Sequence, residues 1–102
     1  MQNKETEHLA GKFVLLTTDH TRRGVFAGKL IEHSGTTARL SDAHMVIYWS
    51  SSVRGLLGLA ANGPDDKCRI TAAVPEIYLE GVDCIMAISE KAFPRWDKVP
   101  WK

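Results

Sequence analysis

Residues 22–49 read RRGVFAGKLIEHSGTTARLSDAHMVIYW, and this stretch decides the fold. Its apolar residues come in short runs broken by turn formers, which is the pattern of β-strands. Between residues 24 and 32 the even positions are Gly24, Phe26, Gly28 and Leu30, and the odd ones Val25, Ala27, Lys29 and Ile31. Neither set is fully polar, so a strand here is expected to bury part of both faces. Gly24 and Gly28 weaken a flat strand. They predict a bend, a bulge, or the close approach of another backbone or a ligand. Residues 33–36, HSGT, predict a turn with Gly35 at positive φ. Residues 37–41 then read as a third strand, residues 41–43 as a tight turn, and residues 44–50 as a fourth strand.

Upstream, residues 12–18 (KFVLLTT) are a run of β-formers and predict a first strand. Residues 19–23 form a polar connection, and residues 1–10 a flexible polar lead. Downstream, Val53, Leu56, Leu57 and Ala60 fall at i, i+3, i+4 and i+7, one face of a short helix. A preceding serine can cap it, and Asn62-Gly63-Pro64 stops it. Its two glycines cost about 1 kcal/mol each relative to alanine, so it needs tertiary support and can pack closely. Residues 64–89 predict two or three more strands, with Pro75 at an edge or a strand start. After Ser89 one helical turn is expected, limited by Pro94. The predicted fold is α+β: a small antiparallel β-rich meander or half-barrel, one short helix and a short C-terminal helical turn, in a single ligand-binding domain over residues 11–102.

The composition narrows the function. The 102 residues carry a net charge of +1, which argues against a strongly basic nucleic-acid protein. No apolar run approaches a membrane span, and no secretory signal opens the chain, so a cytoplasmic setting is expected. Cys68 and Cys84 are expected to be reduced core residues. The four histidines are scattered and the cysteines form no CxxC, so no metal site is predicted. Phosphate-loop, dinucleotide and nucleophile-elbow patterns are absent. Asp65-Asp66 reads as a solvated turn. No enzymatic activity and no cofactor are expected.

Several residues suit an anionic ligand, each with a plainer reading beside it. Arg22 and Arg23 sit where a turn meets a glycine-bearing strand; they are either a solvated turn or a fork of donors for phosphate. Tyr48 and Trp49 are either core or a stacking surface. Arg54 lies beside Ser50, Ser51 and Ser52 at a helix start, where free N–H groups favour anions, or is a surface arginine. Phe26, between two glycines, is either core or a ring with room to stack.

Two families share features with the chain. Residues 12–49 are similar in layout to the first motif of the Sm-like small barrels, which form rings and bind RNA. That motif is a strand, a glycine-rich bent strand, a turn and a further strand. A counterpart to their second motif, a short strand pair around a basic-glycine step, is not evident. Nearly the whole chain resembles the phage Thoeris anti-defence sponge family, the first type described. The resemblance rests on GVFAGKL (24–30), ARLSDAHMVIYWS (38–50), GLLGLAANG (55–63), VPEIYLEGVDCIMAIS (74–89) and VPWK (99–102) in that order. It departs where the family more often has arginines and this chain has Ala43, His44 and Met45, and at residues 20–23. The resemblance implies a non-catalytic, phage-encoded homo-oligomer, a dimer or larger, in the host cytoplasm. Such a protein sequesters a cyclic ADP-ribose-type signal, or a cyclic oligonucleotide, without cleaving it. It also implies ligand-binding roles for Gly24, Phe26, Gly28, Tyr48 and Trp49. Arg22, Arg23, Arg54 and Arg95 are added on physical grounds. Nucleic acid is not an expected partner of a sponge, and the alternative is an Sm-like RNA-binding barrel.

Overall fold

The computed structural model describes residues 4–19 and 24–98. Six strands form a curved antiparallel sheet: β1 (Phe13–Thr18), β2 (Val25–Ser34), β3 (Thr37–Tyr48), β4 (Arg69–Ile70), β5 (Val74–Leu79) and β6 (Val82–Ala87). The order is β4-β3-β2-β1-β6, with β5 also paired to β3. Two α-helices, α1 (Gly55–Asn62) and α2 (Phe93–Lys98), complete the α+β fold. Among the described residues no helix is long and apolar enough to cross a membrane.

The sheet buries both faces, as the unsegregated pattern of β2 requires. Val14 and Leu16 of β1 join Leu9, Leu30, Ala38, Leu40, Ala43 and Leu79 in one cluster. Leu15, between them, points the other way, into a cluster with Ala27, Val46, Leu59, Ile70 and Trp96. Successive strand residues face opposite sides, so β1 serves two cores at once. The first cluster fills the inside of the curl; α1 and α2 cover the second.

β3 is one continuous strand of 12 residues, and this corrects the tight turn expected at residues 41–43. Asp42 adopts φ 49 as a single-residue bulge. Pairing with β2 resumes on both sides of it, Lys29↔Ser41 and Ala27↔His44. One extra residue reverses the alternation. Ala38 and Leu40 lie in the inner cluster, while Val46, of the same parity, lies in the outer one. Gly28 makes room for this. A Cβ there would sit 3.0 Å from the Ser41 carbonyl oxygen and 3.1 Å from the Ala43 Cα. Of the uses expected for Gly28, the structure selects close approach of another backbone.

Gly35 takes its predicted role, whereas Gly24 makes room for a side chain rather than for a backbone or a ligand. Gly35 has φ 59 at the first central position of the β2–β3 turn, where a type II′ hairpin takes glycine. Gly24 lies under the Phe26 ring, which its Cβ would strike, and its N–H donates to the Thr18 hydroxyl at 2.7 Å. That bond closes the base of the β1–β2 connection.

The helices differ from expectation in phase. Arg54 is in the left-handed region at φ 68, between a 3₁₀ turn (Ser51–Val53) and α1, so Val53 does not continue the helical repeat. The buried face of α1 is Gly58, Leu59 and Ala60, with Leu56 partly buried, and Leu57 is exposed. A Cβ on Gly58 would collide with the Val53 carbonyl, so this glycine does permit close packing. In α2, Pro94 sits in the first turn, where its missing N–H costs nothing, so it does not end the helix. Ser89 caps this segment, its Oγ accepting from Ala92 N–H at 3.0 Å. Residues 4–9 form a 3₁₀ helix that delivers Leu9 to the inner core. Cys68 is buried as expected, but Cys84, on β6, is exposed.

Two substitutions test this packing in denaturant titrations. Gly28→Ala should cost about 1–3 kcal/mol by pressing a methyl on the β3 backbone. Trp96→Ala should cost about 3–5 kcal/mol, because Trp96 is 1% exposed and joins α2 to both α1 and the sheet.

Candidate functional site

The curvature of the sheet and the placement of α2 leave a groove of about 1000 Å³ on the helix-covered side. Gly11, Lys12 and Phe13 line it at the start of β1, Lys29 on β2, and Asp42 and His44 on β3. Ala73, residues 87–90 and the α2 residues Phe93 and Trp96 complete it. Its volume is at the upper end of what small-molecule and cofactor sites use.

Each wall has a structural cause. Phe13 and Lys29 are direct cross-strand partners and so project from the same face. Phe13 meets Phe93 edge-on with ring centroids 5.3 Å apart, and lies 6.2 Å from Trp96. Trp96 is fixed in turn by its Nε1–H, which donates to the Leu59 carbonyl at 3.3 Å. His44 is buried and edge-on to Phe13. Its Nδ1 lies 2.8 Å from the Thr71 carbonyl; a carbonyl only accepts, so Nδ1 carries the proton. Lys12, Lys29 and Asp42 are exposed, and among the described residues no ion pair joins them. The groove thus combines an aromatic wall with two ammonium groups, and has acceptors at Asp42, Ser89 and Glu90. Among the described residues no group of three or more His, Cys, Asp or Glu is placed to hold a metal.

The residues singled out from sequence lie elsewhere. Arg22 and Arg23 fall outside the described residues. Gly24 and Gly28 are buried under Phe26 and β3. Phe26 packs on the inner cluster and Trp49 on the outer one, so the two rings are on opposite sides of the sheet and cannot enclose one base together. Tyr48 is exposed at the end of β3, opposite Arg69. Arg54 is exposed ahead of α1. Arg95 of α2 donates through Nε to the Pro64 carbonyl at 3.0 Å, stapling α2 to the turn after α1. None of the described ones lines the groove.

The serines expected to greet an anion already hold one belonging to the protein. Ser50 Oγ donates to the Asp65 carboxylate at 3.2 Å, Ser52 Oγ donates to the same group, and Lys67 N–H donates at 3.0 Å. Asp65 is therefore not a free turn residue. The Ser52 hydrogen bond, helped by the Lys67 N–H and opposed by burial, holds its pKa below the ordinary carboxylate value.

A model of the family described as Domain of unknown function (DUF6948) matches residues 11–96, and the chain belongs to that family. No curated protein matches the chain.

The Asp65 cluster predicts a pH dependence of stability. A carboxylate whose folded pKa is depressed stabilises the fold above its unfolded pKa, and that stability is lost as pH falls through the folded value. Melting temperature should therefore fall more steeply on acidification below pH ~4 in the wild type than in Asp65→Asn. Parallel curves for the two proteins would show that the cluster contributes nothing to stability.

Proposed function

We propose that this protein is a non-catalytic binder of a compact cyclic nucleotide, and that it acts as a phage anti-defence sponge. It would keep a cyclic ADP-ribose-type or cyclic oligonucleotide signal from its receptor in the host cytoplasm, working as a homo-oligomer. The observation that carries the chemical part is the pairing of Lys12 and Lys29 with the Phe13–Phe93 aromatic wall in one groove. Phosphates need cationic donors and a base needs a π face; the groove offers both. The sponge part rests on the ordered sequence blocks that resemble that family. Binding requires no bond to be broken: the lysines take the anion, Phe93 lies against the base, and the buried Trp96 and His44 hold the walls in place.

A second reading draws on one observation. β5 and β6 flank Glu80-Gly81 and pair with β3 and β1 respectively. That is the short strand pair an Sm-like RNA-binding barrel calls for, here with an acidic step in place of a basic one.

Calorimetric titration with cyclic ADP-ribose isomers and cyclic di- and trinucleotides tests the proposal, with the ligand recovered afterwards. Tight binding of one of them, the ligand returning intact, is the expected result. Lys29→Ala should weaken that binding about ten- to hundred-fold, the loss of one charge-assisted hydrogen bond, without lowering the melting temperature. Binding of single-stranded RNA with steep salt dependence, and of no cyclic ligand, would favour the barrel reading. An altered ligand would mean catalysis.

A further inference from the structure

The groove contains one residue whose backbone is held in an uncommon conformation. Asp42 has φ 49, and only Arg54 joins it as a non-glycine residue at positive φ among the described residues. Such residues persist where the surrounding structure over-determines them, and they cluster at functional sites. Bulges likewise re-aim a side chain beside a site. Here the bulge is clamped from both sides of β3. β2 holds it through Lys29↔Ser41 and Ala27↔His44, and β5 through Ser41↔Glu76 and Ala43↔Val74. Gly28 lies under it at contact distance. The result is a carboxylate lining the same groove as Lys12 and Lys29.

An ionised carboxylate only accepts hydrogen bonds, so Asp42 is hostile to phosphate and must meet a donor. The lysines take the anion; what a nucleotide offers next to its phosphates is the hydroxyl groups of ribose. Glu90 also lines the groove, but it lies in the link before α2, whereas Asp42 is locked by two strands. We propose that Asp42 is the specificity-determining residue of the groove, accepting hydrogen bonds from ribose hydroxyls, and that Gly28 is its positioning residue. Gly28 reaches the ligand only through the bulge it admits. This rests on the groove being the nucleotide site.

The test compares cyclic ADP-ribose with its analogue lacking the 2′-hydroxyl on the adenosine ribose, by calorimetry. Wild type should prefer the ribose form by about ten-fold or more, the effect of a charge-assisted hydrogen bond. Asp42→Gly keeps the positive φ without strain and removes the carboxylate; its preference should fall to about one. Asp42→Asn, also at home in this conformation, should fall between the two. Gly28→Ala, assayed at a temperature where it is folded, should reduce the preference as well, which a merely destabilising change would not do. A wild-type preference that survives in Asp42→Gly overturns the assignment and leaves the groove as the site. Failure of wild type to bind either form or any cyclic di- or trinucleotide overturns the groove reading and the assignment with it.

Discussion

The backbone of β3 crosses Gly28 at contact distance, and the rest of the molecule depends on that crossing. Without a side chain at position 28, Ser41, Asp42 and Ala43 can bulge toward β2. The bulge reverses the facing of β3, so its first half fills the inside of the curl and its second half lies under the helices. A flat strand of the same length would send Val46 to the wrong side. Both cores therefore follow from one missing methyl group and one left-handed residue.

The second core fixes the groove. Trp96 enters it from α2 and bonds the Leu59 carbonyl of α1. Ser89 ties the other end, its N–H donating to the Ala60 carbonyl and its hydroxyl to the Ala61 carbonyl. α2 is thus anchored at its entry and at its buried ring, while Phe93 remains half-exposed over Phe13. Rigid elements on several sides hold the polar groups of the groove, the arrangement in which orientation costs a ligand least.

The strand pattern was legible because β-structure leaves local marks. Short apolar runs, Gly35 in the hairpin and Pro75 in an edge strand each state their role without tertiary context. Asp42 misled because an Asp between Ser41 and Ala43 looks the same in a turn and in a bulge; only the pairing on both sides tells them apart. The phase of α1 was lost for a similar reason, since Arg54 enters a left-handed conformation that no apolar spacing announces. The groove was harder still. Arginines and aromatics attract attention singly, but a groove is made by residues from β1, β2, β3 and α2 that are far apart in the chain. One signal was available: Lys29 is charged on a strand face otherwise made of Val25, Ala27 and Ile31. The serine cluster did mark an anion site, but the anion is Asp65.

The most direct test of the central claim is an amide ¹⁵N–¹H correlation spectrum of the labelled protein during titration with cyclic ADP-ribose. With the ligand in the groove, as proposed, shifts should concentrate at Lys12, Phe13, Lys29, Asp42, Ser89 and Phe93. Shifts confined to Gly24, Phe26, Tyr48, Trp49 and Arg54, or no shifts with any cyclic nucleotide, would contradict it.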